Sequence, residues 1–417
     1  MDKGKTYIAF GKKLLLTGGA QAIVQGTGLL CGLIIIRLLP TQEFALYTLA
    51  NTMLGTMTLL SDGGIAIGVM SLGGQCWQDP QKLGSILHTG LSLRQKFAIV
   101  SLLITVPILY YLLNKHGSSV LSSVLIILSL IPAFWASLSD SLLEIPLRLH
   151  QDIYALQQNQ ILVNVGRLLL SGVFVFLFPF TLIAMFGNSI PRIVGNMRLR
   201  KMNTKYLNSH SATNAEYQKH ILDIVKRTLP NTVYYCLSGQ IAIWIISIFG
   251  KTNAVAQLGA LSRLTMILAV FNSVVSILYI PNYAKLPNDK SVLTKRFLGI
   301  QVIVWSICAG IMLLVYCFPN LFLLLLGRQY ADLQKPLFLS MLGACITFIV
   351  GSSYSVYSSR GMVMNPIRSI GVSILAIVVS VLCFDVSNIM GVLYMNIMIG
   401  IFEWINHSAY YFSKVGK

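Results

Sequence analysis

The residues of this sequence best placed to do chemistry are ionisable side chains inside long apolar runs. They are three arginines, Arg167, Arg192 and Arg263, and four acids, Asp62, Asp140, Glu144 and Glu403. A charge in such a setting is costly, and by default it marks a substrate or ion pathway. Arginine presents a planar fork that grips phosphate or carboxylate oxygens bidentately. Arg167 stands about ten residues into its run, about 15 Å deep at the rise of a helix. It either meets an anion or pairs with Asp140 or Glu144 to hold helices together. Arg192 is followed by Arg198, Arg200 and Lys201 and reads as snorkelling to an interface. Asp140 and Glu144 lie four apart and share one helix face. Two carboxylates this close in a low dielectric suit a proton or Na+ site; the alternative is exposure to water with Arg148 as partner. Glu403, deep in the last apolar run, calls for a partner. Asp62 is placed to bond helix termini near Gly63-Gly64.

Other chemistries find no motif. The seven cysteines show no CxxC or Cys/His ligand spacing, and the six histidines are scattered, so neither a metal nor a cofactor is expected. No GxxxxGK[ST] loop and no DxD pair occurs, which argues against direct use of ATP and against an enzyme.

Long apolar elements must position these groups. Of 417 residues, 55% are hydrophobic and 11% charged, and the mean hydropathy is +0.73. About 25% charged is usual in a soluble domain, so a cytosolic enzyme and a disordered chain are excluded. A helix needs about 20 apolar residues to cross hydrocarbon. Twelve such segments follow: 14–36, 42–68, 95–113, 119–146, 157–177, 179–198, 229–249, 255–282, 297–317, 337–358, 366–384 and 388–411. With both termini inside, twenty-three Lys and Arg fall in inside segments, five outside and three within spans. That bias is the positive-inside signature. The net charge of +18 is therefore mainly a topology signal, and no nucleic-acid partner is expected; the partner is the lipid bilayer. The expected fold class is all-α integral membrane, with six spans in 1–198, a cytoplasmic linker at 199–228 and six spans in 229–417. Equal halves entering from the same side suggest a parallel internal repeat. Gly28 and Gly32 form a GxxxG face for close helix packing.

Several short motifs, in order along nearly the whole chain, resemble bacterial polysaccharide flippases. Ile36-Arg37-Leu38-Leu39-Pro40 with Glu43-Phe44-Ala45-Leu46-Tyr47 resembles their first outside turn. Leu60-Ser61-Asp62-Gly63-Gly64 resembles their motif late in span two. Leu229-Pro230-Asn231, Phe249-Gly250, Ile280-Pro281-Asn282-Tyr283 and Leu325-Leu326-Gly327-Arg328-Gln329-Tyr330 resemble the second-half pattern. An Asp-Arg pair common in span seven has no counterpart in Gln240 to Ile248. The family shares a superfamily with multidrug (MATE) exporters and lipid II flippases, and twelve spans favour its Wzx-like O-antigen or capsule branch.

The resemblance implies two six-helix lobes in a V around a central cavity. It also implies a bacterial inner-membrane protein moving undecaprenyl-diphosphate-linked oligosaccharide to the outer leaflet, with a glycan polymerase as a further partner. A diphosphate cannot cross hydrocarbon unpaired. The cavity cations expected to meet it are Arg167, Arg263 and Arg37, the last alternatively an interfacial anchor beside Glu43. Asp62, Asp140, Glu144 and Glu403 are expected to serve ion coupling by H+ or Na+, or charge pairing. Gln21, Gln25, Asn51, Gln240 and Asn272 are expected glycan contacts, with Trp135, Trp244, Tyr234 and Tyr235 for stacking on sugars. The competing readings are a MATE-type organic-cation exporter and a membrane glycosyltransferase or polymerase.

Overall fold

The computed structural model describes residues 19, 23–208, 212–279, 283, 286, 289–360, 362 and 364–415. Among these, every regular element is helical. The helices are α1 (Ile23–Leu38), α2 (Thr41–Asp62), α3 (Ile65–Gln75), α4 (Pro80–Lys115), α5 (Val120–Leu149), α6 (Ile153–Leu177), α7 (Thr181–Asn203) and α8 (Ala215–Gly239). They continue as α9 (Ile241–Phe249), α10 (Thr252–Thr265), α11 (Ile267–Leu278), α12 (Lys290–Cys317), α13 (Pro319–Leu326), α14 (Gln334–Ser358), α15 (Pro366–Cys383) and α16 (Ile389–Lys414). Among the described residues, seven helical stretches of 21 to 36 residues are long and apolar enough to cross a bilayer unaided. The pair α2–α3, bent by 47°, adds an eighth if it is one span. The chain is thus a multi-pass membrane protein. The predicted spans fall on these helices or on consecutive pairs; parts of the first and eighth lie outside the described residues.

Local chemistry sets the helix ends. Asp79 caps α4, accepting from the amides of Gln81 (3.0 Å) and Lys82 (3.1 Å), with Pro80 in the first turn. Ser119, Asp152, Asp289, Asn365 and Asn388 cap α5, α6, α12, α15 and α16 in the same manner, as N-cap preferences require. The break between α2 and α3 rests on Gly63 and Gly64, whose φ of 51° and 101° are left-handed.

The contacts divide the chain into two compact units, Met1–Ile241 and Ala242–Lys417. In the first, α7 packs on α5 and α6, α2 on α4, and α8 on α2, α3 and α4. Ile65, Val69, Leu87, Leu142, Leu147, Leu199 and Ile221 meet there in one buried core. In the second, α14 lies against α10, α11, α12 and α16, and α15 against α16. Large buried tyrosines fill that unit: the Tyr283 and Tyr411 hydroxyls lie 2.9 Å apart, and Tyr411 stacks on Phe297 with ring centroids 3.8 Å apart.

Candidate functional site

The intramembrane acids of the first unit all have partners. Asp62, at the end of α2, pairs with Arg94 of α4, whose side chain is only 3% exposed. Arg94 also donates to the Leu138 carbonyl (2.7 Å) and the Ser141 hydroxyl (2.6 Å) of α5, and Asp62 accepts from the amide of Ala66 (3.1 Å). One pair therefore ties three helices together at the glycine break and caps α3. On α5, Asp140 meets Arg192 Nε at 3.1 Å and the Asn196 side-chain amide at 2.6 Å, both from α7. Arg192 thus turns onto Asp140 rather than standing apart as a snorkelling cation. Glu144 pairs with Arg148 one turn on and accepts from Gln160 of α6 at 3.1 Å. The geometry therefore separates Asp140 from Glu144: they share a face but have different cations.

Arg94 is the partner that sequence reasoning missed. Between Leu93, Gln95 and Lys96 it reads as a loop cation, yet α4 begins at Pro80 and carries it one turn beyond Gly90, into the packed interior. The usable signal was the Asp79-Pro80 cap, which starts a helix fifteen residues before the predicted span.

Of the three arginines singled out in sequence, Arg167 and Arg263 have no carboxylate partner among the described residues. Arg167 lies on α6 where α1 approaches: Cys31 Sγ is 3.9 Å from its backbone carbonyl. Its buried Nε has no hydrogen-bond partner among the described residues, and no acid there is within ion-pair distance. Among the described residues, the side-chain contact of the Arg263 guanidinium, on α10 in the second unit, is the Met266 sulfur at 4.0 Å. Arg37 is exposed at the end of α1. Glu43 is engaged elsewhere, accepting from the Thr181 amide and hydroxyl at 2.7 Å each, at the start of α7.

Glu403, on α16, is half-buried and accepts from the Ser373 hydroxyl of α15 at 3.2 Å; no Lys or Arg among the described residues reaches it. One turn on, the buried His407 shares a hydrogen bond of 2.6 Å with the Tyr357 hydroxyl. Of the uncharged candidates, Gln25, Asn51 and Gln240 are partly buried and Asn272 is exposed. Gln21 and the Tyr235 side chain lie outside the described residues. Trp135 is exposed, and the buried Trp244 indole nitrogen has no partner among the described residues. No cluster of three or more His, Cys, Asp or Glu able to hold a metal occurs among the described residues.

No family model matches the chain, and no curated protein does. Solved structures do. The inward-facing conformation of a multidrug resistance MATE family transporter of the MOP superfamily aligns with a TM-score of 0.70 at 14% identity, over 94% of this chain and 96% of that one. The lipid II flippase MurJ in an inward closed conformation aligns with a TM-score of 0.72 at 13% identity, over 96% and 87%. A MOP superfamily transporter from Pyrococcus furiosus, described as having a binding pocket of reverse polarity, aligns with a TM-score of 0.59 at 13% identity, over 97% and 95%. At these identities the likeness establishes the fold: this chain is folded like MATE transporters and MurJ along almost its whole length.

Proposed function

We propose that the chain is a flippase for an anionic lipid-linked glycan, of the Wzx-like polysaccharide branch. Its twelve spans, six from 1–198 and six from 229–417, lie in a bacterial inner membrane with both termini cytoplasmic. The cargo is an undecaprenyl-diphosphate-linked O-antigen or capsule repeat unit, moved from inner to outer leaflet by alternating access. The observation that carries this reading is the sign of the unneutralised charge. Among the described residues Asp62, Asp140 and Glu144 each have an arginine, while Arg167 and Arg263 have no acid and Glu403 has no cation, which leaves two unpaired cations against one acid. An arginine held in a membrane helix without a carboxylate is expensive unless its cargo supplies the negative charge. A diphosphate does so, and the guanidinium fork fits it. Glu403, whose hydrogen-bond partner among the described residues is the Ser373 hydroxyl rather than a cation, is the acid best suited to proton coupling.

Complementation of a strain lacking its own O-antigen or capsule flippase tests the reading. Wild-type chain restores surface glycan, and Arg167→Ala and Arg263→Ala each restore far less. If both variants export like wild type, the cations do not serve the diphosphate. If lipid-linked oligosaccharide fails to accumulate on the inner leaflet when the chain is deleted, it is not the flippase. One observation favours a second reading, a MATE-type exporter of organic cations: Glu403 is an acid available to a cation. In that case Glu403→Gln abolishes drug resistance while glycan export is unaffected by any of the three substitutions.

A further inference from the structure

A second basic site lies within the first unit, apart from Arg167. Between α4, α5 and α7 opens a cleft of about 320 Å³ lined by His88, Arg94 and Gln95 of α4, Trp135 of α5, Arg200 of α7 and Thr213. The segment before α8 is pinned beside it: Ser85 donates to the Ala212 carbonyl at 2.6 Å, and the Asn214 amide donates to Thr89 at 3.0 Å. Two guanidinium groups line the cleft, Arg94 and Arg200; Arg94 is matched by Asp62, and the Arg192–Asp140 pair, joined to the lining Ser139 through Asn196, is neutral in itself. Arg200 supplies the excess. It donates to the Asn196 side-chain oxygen at 3.0 Å and to Ser139 at 3.4 Å, and no acid among the described residues pairs with it. Arg94 Nε, buried at the cleft wall, has no hydrogen-bond partner among the described residues.

The cleft continues into an apolar surface. One and two turns along α4 from Gln95 lie the exposed Ile99 and Leu103, and along α5 from Trp135 lie the exposed Ile131 and Leu128. Because α4 and α5 are antiparallel neighbours, both rows lead away from the same basic end. A basic pocket with a tryptophan at its rim and exposed aliphatic rows beyond it matches a molecule with an anionic head and apolar tails. We propose that this cleft binds the phosphate-bearing headgroup of an anionic membrane phospholipid, with its acyl chains along the Ile99–Leu103 and Leu128–Ile131 rows.

The test is binding to the full chain, purified in neutral detergent, read by native mass spectrometry and thermal unfolding. Dioleoyl phosphatidylglycerol, dioleoyl phosphatidylcholine and inorganic phosphate are added separately. Phosphatidylglycerol is expected to bind and raise the unfolding temperature, and phosphatidylcholine to do so far less. Arg200→Gln should weaken phosphatidylglycerol about tenfold, the loss of one charge-assisted contact. Arg198→Gln, two residues away and outside the cleft lining, should not. Equal binding of the two lipids, or equal loss in both variants, overturns the proposal. If inorganic phosphate alone protects as well as phosphatidylglycerol, the ligand is a free anion and the lipid assignment is wrong. Because the readout is binding and not export, its failure is separate from any failure of the flippase reading.

Discussion

The burial of Arg94 makes its pair with Asp62 the most consequential single contact of the first unit. Removing one member of a buried pair strands the other charge, a loss of about 3 kcal/mol or more. Asp62→Ala should therefore lower stability by about 3 kcal/mol in chemical unfolding in detergent, taking the lower figure because the Asp62 side chain is 23% exposed. Adding Arg94→Met should recover more than half of the loss, since the stranded charge goes with it; no recovery would mean that the effect comes from the α3 cap at Ala66. By contrast Arg148, whose side chain is 52% exposed beside Glu144, should tolerate Arg148→Gln within about 1 kcal/mol. The four intramembrane acids and Arg167, Arg192 and Arg263 were legible in sequence, because charge inside an apolar run stands out; Arg94, in a polar stretch, was not. Of the pairings only Glu144 with Arg148, one turn apart, was among the sequence alternatives. Asp62 and Arg94 lie 32 positions apart and Asp140 and Arg192 lie 52 apart, and only the rotation of each helix about its axis brings them together.

Among elements, apolar length made the spans legible, and polar composition hid their extensions. The stretch 80–94 reads as a loop because it holds Lys82, His88 and Arg94, yet Leu83, Ile86, Leu87 and Leu93 give it a buried face that continues α4. The 199–228 segment reads as a linker, yet α7 runs on to Asn203 and α8 starts at Ala215. The cap of α4 makes a pH prediction. Hydrogen bonds from the Lys82 and Gln81 amides hold the Asp79 carboxyl below its ordinary range. Its contribution is therefore complete above the unfolded-chain value near pH 4 and fades as pH falls through the lower folded value. The protection of the Gln81 and Lys82 amides, measured against intrinsic exchange at each pH, should fall over that acid window in wild type and be low at every pH in Asp79→Ala. The α2–α3 break makes a second prediction. A Cβ on Gly64 would lie 2.0 Å from the Thr228 hydroxyl of α8, at a φ of 101° that side chains avoid. Gly64→Ala should cost about 2 kcal/mol, and Thr228→Ala should relieve only the steric part. Gly74→Ala, whose nearest neighbour would be 4.0 Å away, should change stability by under about 0.5 kcal/mol.

For the whole molecule, the charge bias and the fold constrain each other. The positive-inside rule assigns sides only if the span count is right, because one span more or fewer inverts every loop that follows. Twelve spans place the α4–α5 turn at Gly117 and the segment at Gly327 outside, and the α5–α6 turn at Gln151 and the α14–α15 segment at Ser359 inside. Each of the two turns of the first unit follows one cation, Lys115 before Gly117 (φ 85°) and Arg148 before Gln151 (φ 58°), so their sides must be measured. Alkaline phosphatase fused after Gly117 or Gly327 should be active, and a fluorescent protein fused at those points dark. Fusions after Gln151 or Ser359 should show the reverse. A wrong division between α6 and α7, which only Phe178, Pro179 and Phe180 separate, would leave the first-unit results intact and invert both results beyond it. A wrong orientation would invert all four. The pattern of fusions therefore tells an error of count beyond α5 from an inversion that begins before α4, and the twelve-span reading with both termini inside requires all four as stated.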